Sequence, residues 1–131
     1  PTHVPGHTRG CYVFYDAMTK TLFGGDAVTR RVLYGMSDWT PLEIYLQHLA
    51  ALQALPIARV FSAHDDVELP ADMPARMIAN IRGNIASTQE KWESPVDGRI
   101  FRRILLGKTE EDVDFFDFVM PEDQYQKGEE E

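Results

Sequence analysis

An α/β fold is what this sequence predicts, on three observations. An aromatic and β-branched run, Cys11-Tyr12-Val13-Phe14-Tyr15, is followed after a polar turn by Thr21-Leu22-Phe23, the pattern of a strand hairpin. A leucine-rich stretch from Thr40 to Pro56 carries helix start and stop signals. A short apolar strand, Ile57-Ala58-Arg59-Val60-Phe61, then runs into the polar loop Ser62-Ala63-His64-Asp65-Asp66. Strand, helix and strand ending in a histidine loop follow α/β logic, in which sites gather at strand ends.

The chain opens on Thr2-His3-Val4-Pro5-Gly6-His7-Thr8-Arg9-Gly10. Pro5-Gly6 excludes a helix, so His3 and His7 are expected on a constrained loop. Gly24-Gly25-Asp26 ends the second hairpin strand and presents Asp26 at its end. Residues 27–38 are expected to be irregular, with Arg30, Arg31 and Tyr34 as their larger side chains. In the helix, Thr40 is the expected N-cap, Pro41 the first helical position and Glu43 the completion of a capping box. Leu42, Tyr45, Leu46, Leu49, Leu52 and Leu55 form its apolar face, with His48 one position off the stripe, at the boundary. Pro70 and Pro74 introduce a second helix, expected over Ala75 to Trp92 with Met77, Ile78, Ile81 and Ile85 inward. Residues 100–106 fit a strand or a short helix, and residues 113–120 an edge strand. The glutamate-rich tail after Pro121 is expected to be mobile.

With 131 residues and 44% hydrophobic content, the chain has the composition of one ordinary globular domain. Thirteen basic against 21 acidic residues give a net charge of −8, which disfavours nucleic acid and anionic membrane surfaces as partners. The single cysteine, Cys11, fits a reducing compartment, and no apolar run is long enough to span a bilayer. A cytoplasmic location is the expectation. Cys11 begins a strand and, as a small buried residue, is a poor nucleophile candidate.

Two imidazoles and a carboxylate, His7, His64 and Asp26, are regular zinc ligands. The ordered set in which they occur resembles the C-terminal half of a metallo-β-lactamase-fold hydrolase. Members carry a Thr-Pro-Gly-His-Thr-Pro-Gly-like loop, matched by His3 to Gly10. They continue with a hairpin ending Leu-Phe-(Thr/Gly)-Gly-Asp, matched by Leu22 to Asp26. A helix and strand then lead to a Gly-His-(Gly/Asp) turn, matched by Ala63-His64-Asp65. The resemblance covers about Thr2 to Asp66. It implies half of an αββα sandwich over residues 1–66, a helical and strand extension over 67–120, and an acidic tail over 121–131.

By the same resemblance His7 is a ligand of the first metal, Asp26 bridges two metals and takes the catalytic role, and His64 is a ligand of the second. Zinc is the expected metal, two ions in a complete site, with iron and manganese as alternatives. His3 would either support the metal ligands from just outside the coordination sphere or pack the loop. Asp65 and Asp66 would be outer-shell acceptors for the imidazoles, and Arg9, Arg30, Arg31, Tyr34 and Trp39 cleft-lining candidates. Water activated by the metals would attack an ester, thioester, lactone or amide carbonyl of a small-molecule substrate.

The family's remaining ligands come from a His-x-His-x-Asp-His segment of the N-terminal half, and this sequence has none. Arg9 stands where proline is usual and Ala63 where glycine is usual. The expectation is therefore a chain completed by an N-terminal half, from the same protein or another chain, or by homo-oligomerisation. A lactonase or thioesterase is preferred to a β-lactamase. The competing reading is a non-catalytic structural or interaction fragment that has lost the metal site. A di-iron oxygen or nitric-oxide reductase uses the same scaffold but adds flavin or rubredoxin-like domains.

Overall fold

The computed structural model describes residues 1–5, 10–34, 41–63, 65, 67–85, 91–93, 98, 100–107, 109, 111, 112 and 114–121. The hairpin forms where the sequence places it. β1 (Thr2–His3) pairs antiparallel with β2 (Tyr12–Asp16), and β2 pairs antiparallel with β3 (Thr21–Phe23). Asp16 shapes the connecting turn. Its carboxylate accepts the Met18 amide at 3.0 Å and the Thr19 hydroxyl at 2.9 Å, and these bonds hold it below the usual carboxylate range. Lys20 closes the turn at a φ of 57°, and its carbonyl accepts the amides of Ala58 and Arg59.

β5 (Arg59–Phe61) adds parallel to β3, so the first sheet has the order β1-β2-β3-β5. Cys11-Tyr15 is not a strand buried on both faces. Val13, Leu22 and Val60 are fully buried on the inner side, whereas Tyr12, Phe14 and Phe23 are each about half exposed on the other. Phe14 lies opposite Phe23 and Phe23 opposite Phe61, an aromatic row across three strands, and the Phe23 and Phe61 rings stack at 6.3 Å. Cys11 is half-buried and precedes the strand.

α1 (Leu42–Leu52) buries the predicted stripe of Tyr45, Leu46, Leu49 and Leu52. Its start differs from expectation. Pro41 occupies the N-cap without a side-chain bond, and Glu43 reaches across to Arg82 at 2.6 Å in place of a capping box; Thr40 lies outside the described residues. His48, within α1 at the margin of the buried stripe, is half-buried, with its ring 6.1 Å from that of His3.

α2 (Met73–Asn84) starts before Ala75, takes Pro74 into its first turn and ends well short of Trp92. Met77 and Ile81 are its buried residues from the predicted face. Gly83 and Asn84 are weak helix formers, which fits an end there. Lys91 and Trp92, expected to finish that helix, belong instead to β6 (Lys91–Glu93), paired antiparallel with β7 (Ile100–Leu106).

Two further corrections concern the second sheet, whose order is β4-β8-β7-β6. Residues 27–38 are not wholly irregular, because β4 (Arg31–Leu33) lies within them. β8 (Phe116–Pro121) is an interior strand, parallel to β4 on one side and antiparallel to β7 on the other. Phe116, Phe118 and Met120 point from it into the core. One hydrophobic cluster joins both sheets and both helices, from Val4 to Met120. Among the described residues no helix is long and apolar enough to cross a membrane.

Candidate metal centre

Strand direction assembles the candidate edge. β1 and β3 are each antiparallel to β2, and β5 is parallel to β3, so β1, β3 and β5 all run the same way. The chain leaves β1 toward His7, β3 toward Asp26 and β5 toward His64. His7, Arg9, Trp39, His64 and Asp66 themselves lie outside the described residues. Among the described residues no group of three His, Cys, Asp or Glu side chains converges as a metal site.

Asp26 is held where these strand ends meet. The Gly24 amide donates to the Phe61 carbonyl at 2.7 Å, and the Ala63 amide donates to the Gly25 carbonyl at 3.2 Å. The turn closes on itself through Ala27 and Val28 amides that donate to the Gly24 carbonyl. Glycine is required at position 24, since a Cβ there would collide with the Val28 carbonyl oxygen and sit 2.6 Å from its Cβ. Gly25 follows at a φ of 53°. Asp26 is half-buried, with its Oδ1 shielded from solvent. A half-buried carboxylate at a strand end is a donor of the kind a hard or borderline cation takes, and Asp26 is the one described member of the expected set.

Asp65 ties the two strand-end loops together. Its Oδ1 accepts Arg30 Nε at 2.7 Å, and its Oδ2 accepts Thr29 Oγ1 at 2.9 Å, the Arg30 amide at 3.2 Å and Ser62 Oγ at 2.5 Å. Ser62 Oγ in turn accepts the Asp65 amide. The Asp65 and Arg30 side chains are 2% and 10% exposed, so this is a buried ion pair. Burial pushes the Asp65 carboxyl up, but the bonds from Ser62, Arg30 and Thr29 outweigh it and hold the group below its ordinary range. With three donors on Oδ2, only Oδ1 has capacity for the outer-shell role expected of this residue.

The other candidates separate. Tyr34 is fully buried, its ring 5.7 Å from Tyr45 and 5.8 Å from Phe118, so it packs the core and lines no open cleft in this structure. Tyr45 Oη donates to the Ala27 carbonyl at 2.7 Å, while Tyr34 Oη is buried without a hydrogen-bond partner among the described residues. Burial raises both phenol pKa values. His3, expected on a loop, is instead a residue of β1 directly opposite Tyr12 of β2, and the two rings lie 5.0 Å apart as a cross-strand pair. Arg31 is exposed, 5.5 Å over the Phe115 ring. Thr29 and Ser62 were not anticipated; the one available signal is the Ser62-x-x-Asp65 spacing, a local side-chain-to-backbone motif.

No family model matches the sequence, no curated protein matches it, and no solved structure matches its fold.

Proposed function

We propose that the chain is one half of a metal-dependent hydrolase for ester, thioester, lactone or amide substrates, completed by a second half. The observation that supports this reading most is the shared direction of β1, β3 and β5, so that all three strands end on the same side of the sheet, where Asp26 follows β3. In the completed site His7, Asp26 and His64 would be this chain's contribution to holding the metal ions. Zinc there would lower the pKa of water toward neutrality and polarise the substrate carbonyl.

The chain's own residues supply position. Gly24 and Gly25 bring the backbone close enough for Asp26 to stand between two strand ends. Arg30, Thr29 and Ser62, gathered on Asp65, fix the loop that carries His64 against the turn that carries Asp26. Three ligands underfill two metals, so this chain alone binds zinc weakly and the missing donors come from elsewhere. The half-exposed aromatic face of Tyr12, Phe14 and Phe23 supports the same reading, as a sheet face built to be covered. A cytoplasmic setting belongs to this proposal.

The second reading is a structural or interaction fragment without a metal, favoured by the lack of a His-x-His-x-Asp-His segment in this sequence. The two separate on one experiment. In the complete protein, His64→Ala is expected to abolish zinc uptake and hydrolysis of a thioester and lactone panel together. Turnover retained in that variant refutes the ligand assignment, and a wild type with neither zinc nor turnover favours the fragment.

A further inference from the structure

Arg30 has a second surrounding besides Asp65. It lines a cleft of about 430 Å³ between α2, the entry to β4 and the approach to β8. Arg76 and Asn80 of α2 line the same space, and Met73, Leu106 and Phe115 supply apolar wall. The volume is in the range of small-molecule sites, and the mixture of apolar wall with a few polar groups is the usual composition of one.

The two cations are prepared differently. Arg30 is buried, tied by Asp65, and its guanidinium lies 5.6 Å from the Phe115 ring centroid. Little side-chain freedom remains for it to lose on meeting a ligand. Arg76 is half exposed and pairs along the helix with Asp72, itself 58% exposed. Pairs of that kind contribute little, so the Arg76 guanidinium can turn to a buried anion at small cost.

We propose that this cleft binds an amphipathic organic acid. Its carboxylate meets Arg30 and Arg76, Asn80 adds a donor, and its apolar body lies against Met73, Leu106 and Phe115. Asp114, exposed, also lines the cleft. Its charge opposes a dianion about twice as strongly as a monoanion, which favours a carboxylate over phosphate. The proposal goes beyond the metal reading and does not depend on it, because binding is read without turnover.

Titration calorimetry of the full chain with hexanoate, 1-hexanol and inorganic phosphate tests it. Saturable hexanoate binding is expected, with hexanol and phosphate at least about tenfold weaker, the worth of one charge-assisted contact. Arg76→Gln, half exposed on α2 and checked for an unchanged thermal melt, is expected to weaken hexanoate by about tenfold. No saturation by about 10 mM hexanoate, an affinity too weak for a specific site, overturns the proposal. So does hexanol or phosphate binding as tightly as hexanoate, or Arg76→Gln binding as tightly as the wild type.

Discussion

Two of the arginine–aspartate pairs among the described residues lie in contrasting places. Arg30–Asp65 sits at the motif-bearing edge of the first sheet with 10% and 2% side-chain exposure, and its carboxylate also collects Thr29 and Ser62. Arg103–Asp117 bridges β7 and β8 of the second sheet, bidentate at 2.8 Å on both arms, with 31% and 18% exposure. The second has the better fork geometry and the first has the burial. Burial decides the outcome of breaking them, since water can re-solvate what Asp117 leaves behind but reaches Arg30 poorly.

Asp65→Ala is the largest test of that difference. Loss of about 3–5 kcal/mol of stability is expected in urea unfolding, because a buried guanidinium loses its carboxylate. A change under about 1 kcal/mol, the surface-pair range, would erase the contrast. The same residue predicts a pH dependence. Its folded pKa lies below its ordinary value, so the unfolded chain takes up the proton first and stability falls with pH. The contribution is complete above about pH 4, the ordinary aspartate value, and is lost as pH drops through the lower folded value. Asp65→Asn should flatten that part of the acid limb, and an unchanged acid limb would show that Asp65 does not drive it.

An intermediate effect is expected at the buried pair of Tyr34, which follows β4, and Tyr45 of α1. Tyr45→Phe removes the bond to Ala27 and leaves a buried carbonyl, so about 1–2 kcal/mol is lost. Tyr34→Phe removes a buried hydroxyl that has no partner among the described residues, so stability is unchanged or raised. Thermal melts of the two variants should therefore move apart. Melts that fall equally would contradict the assignment of one satisfied and one unsatisfied phenol. The smallest effect is Asp117→Asn, expected to cost about 1 kcal/mol or less. A loss as large as that of Asp65→Ala would mean that fork geometry outweighs burial.

The contrast between the sheets also describes what could be read from residues alone. The β2–β3 hairpin, α1 and β5 were legible because each carries its own signal: β-branched and aromatic runs, a polar turn around Asp16, and a leucine stripe. The second sheet was legible only in part, since residues 113–120 read as a strand and residues 100–106 as a strand or helix, while the pairing of its strands left no signal. β4 is three residues long and its parallel partner is the distant β8, a pairing that leaves no local mark on either segment. Met77 and Ile81 gave α2, but an apolar period does not show where Gly83 and Asn84 stop it, nor that Lys91–Glu93 joins a sheet.

At the candidate site the residue types and their order were legible, and Asp26 does stand at the end of β3 beside the loop that follows β5. The tie that joins those loops was not. Arg30, Asp65, Thr29 and Ser62 meet through the fold, and Arg30 and Asp65 gave no sign in sequence that each was the other's partner. The outer aromatic face was visible only in part. The run Tyr12-Val13-Phe14 marks a strand but does not tell that only one of its faces is covered.

The proposed metal site at the strand end carrying Asp26 stands or falls on the zinc content of the complete protein after exhaustive dialysis. About two zinc ions per chain, the number of a dinuclear site, are expected in the wild type, with at least one lost in Asp26→Ala while the thermal fold is kept. Zinc retained undiminished in Asp26→Ala would contradict it.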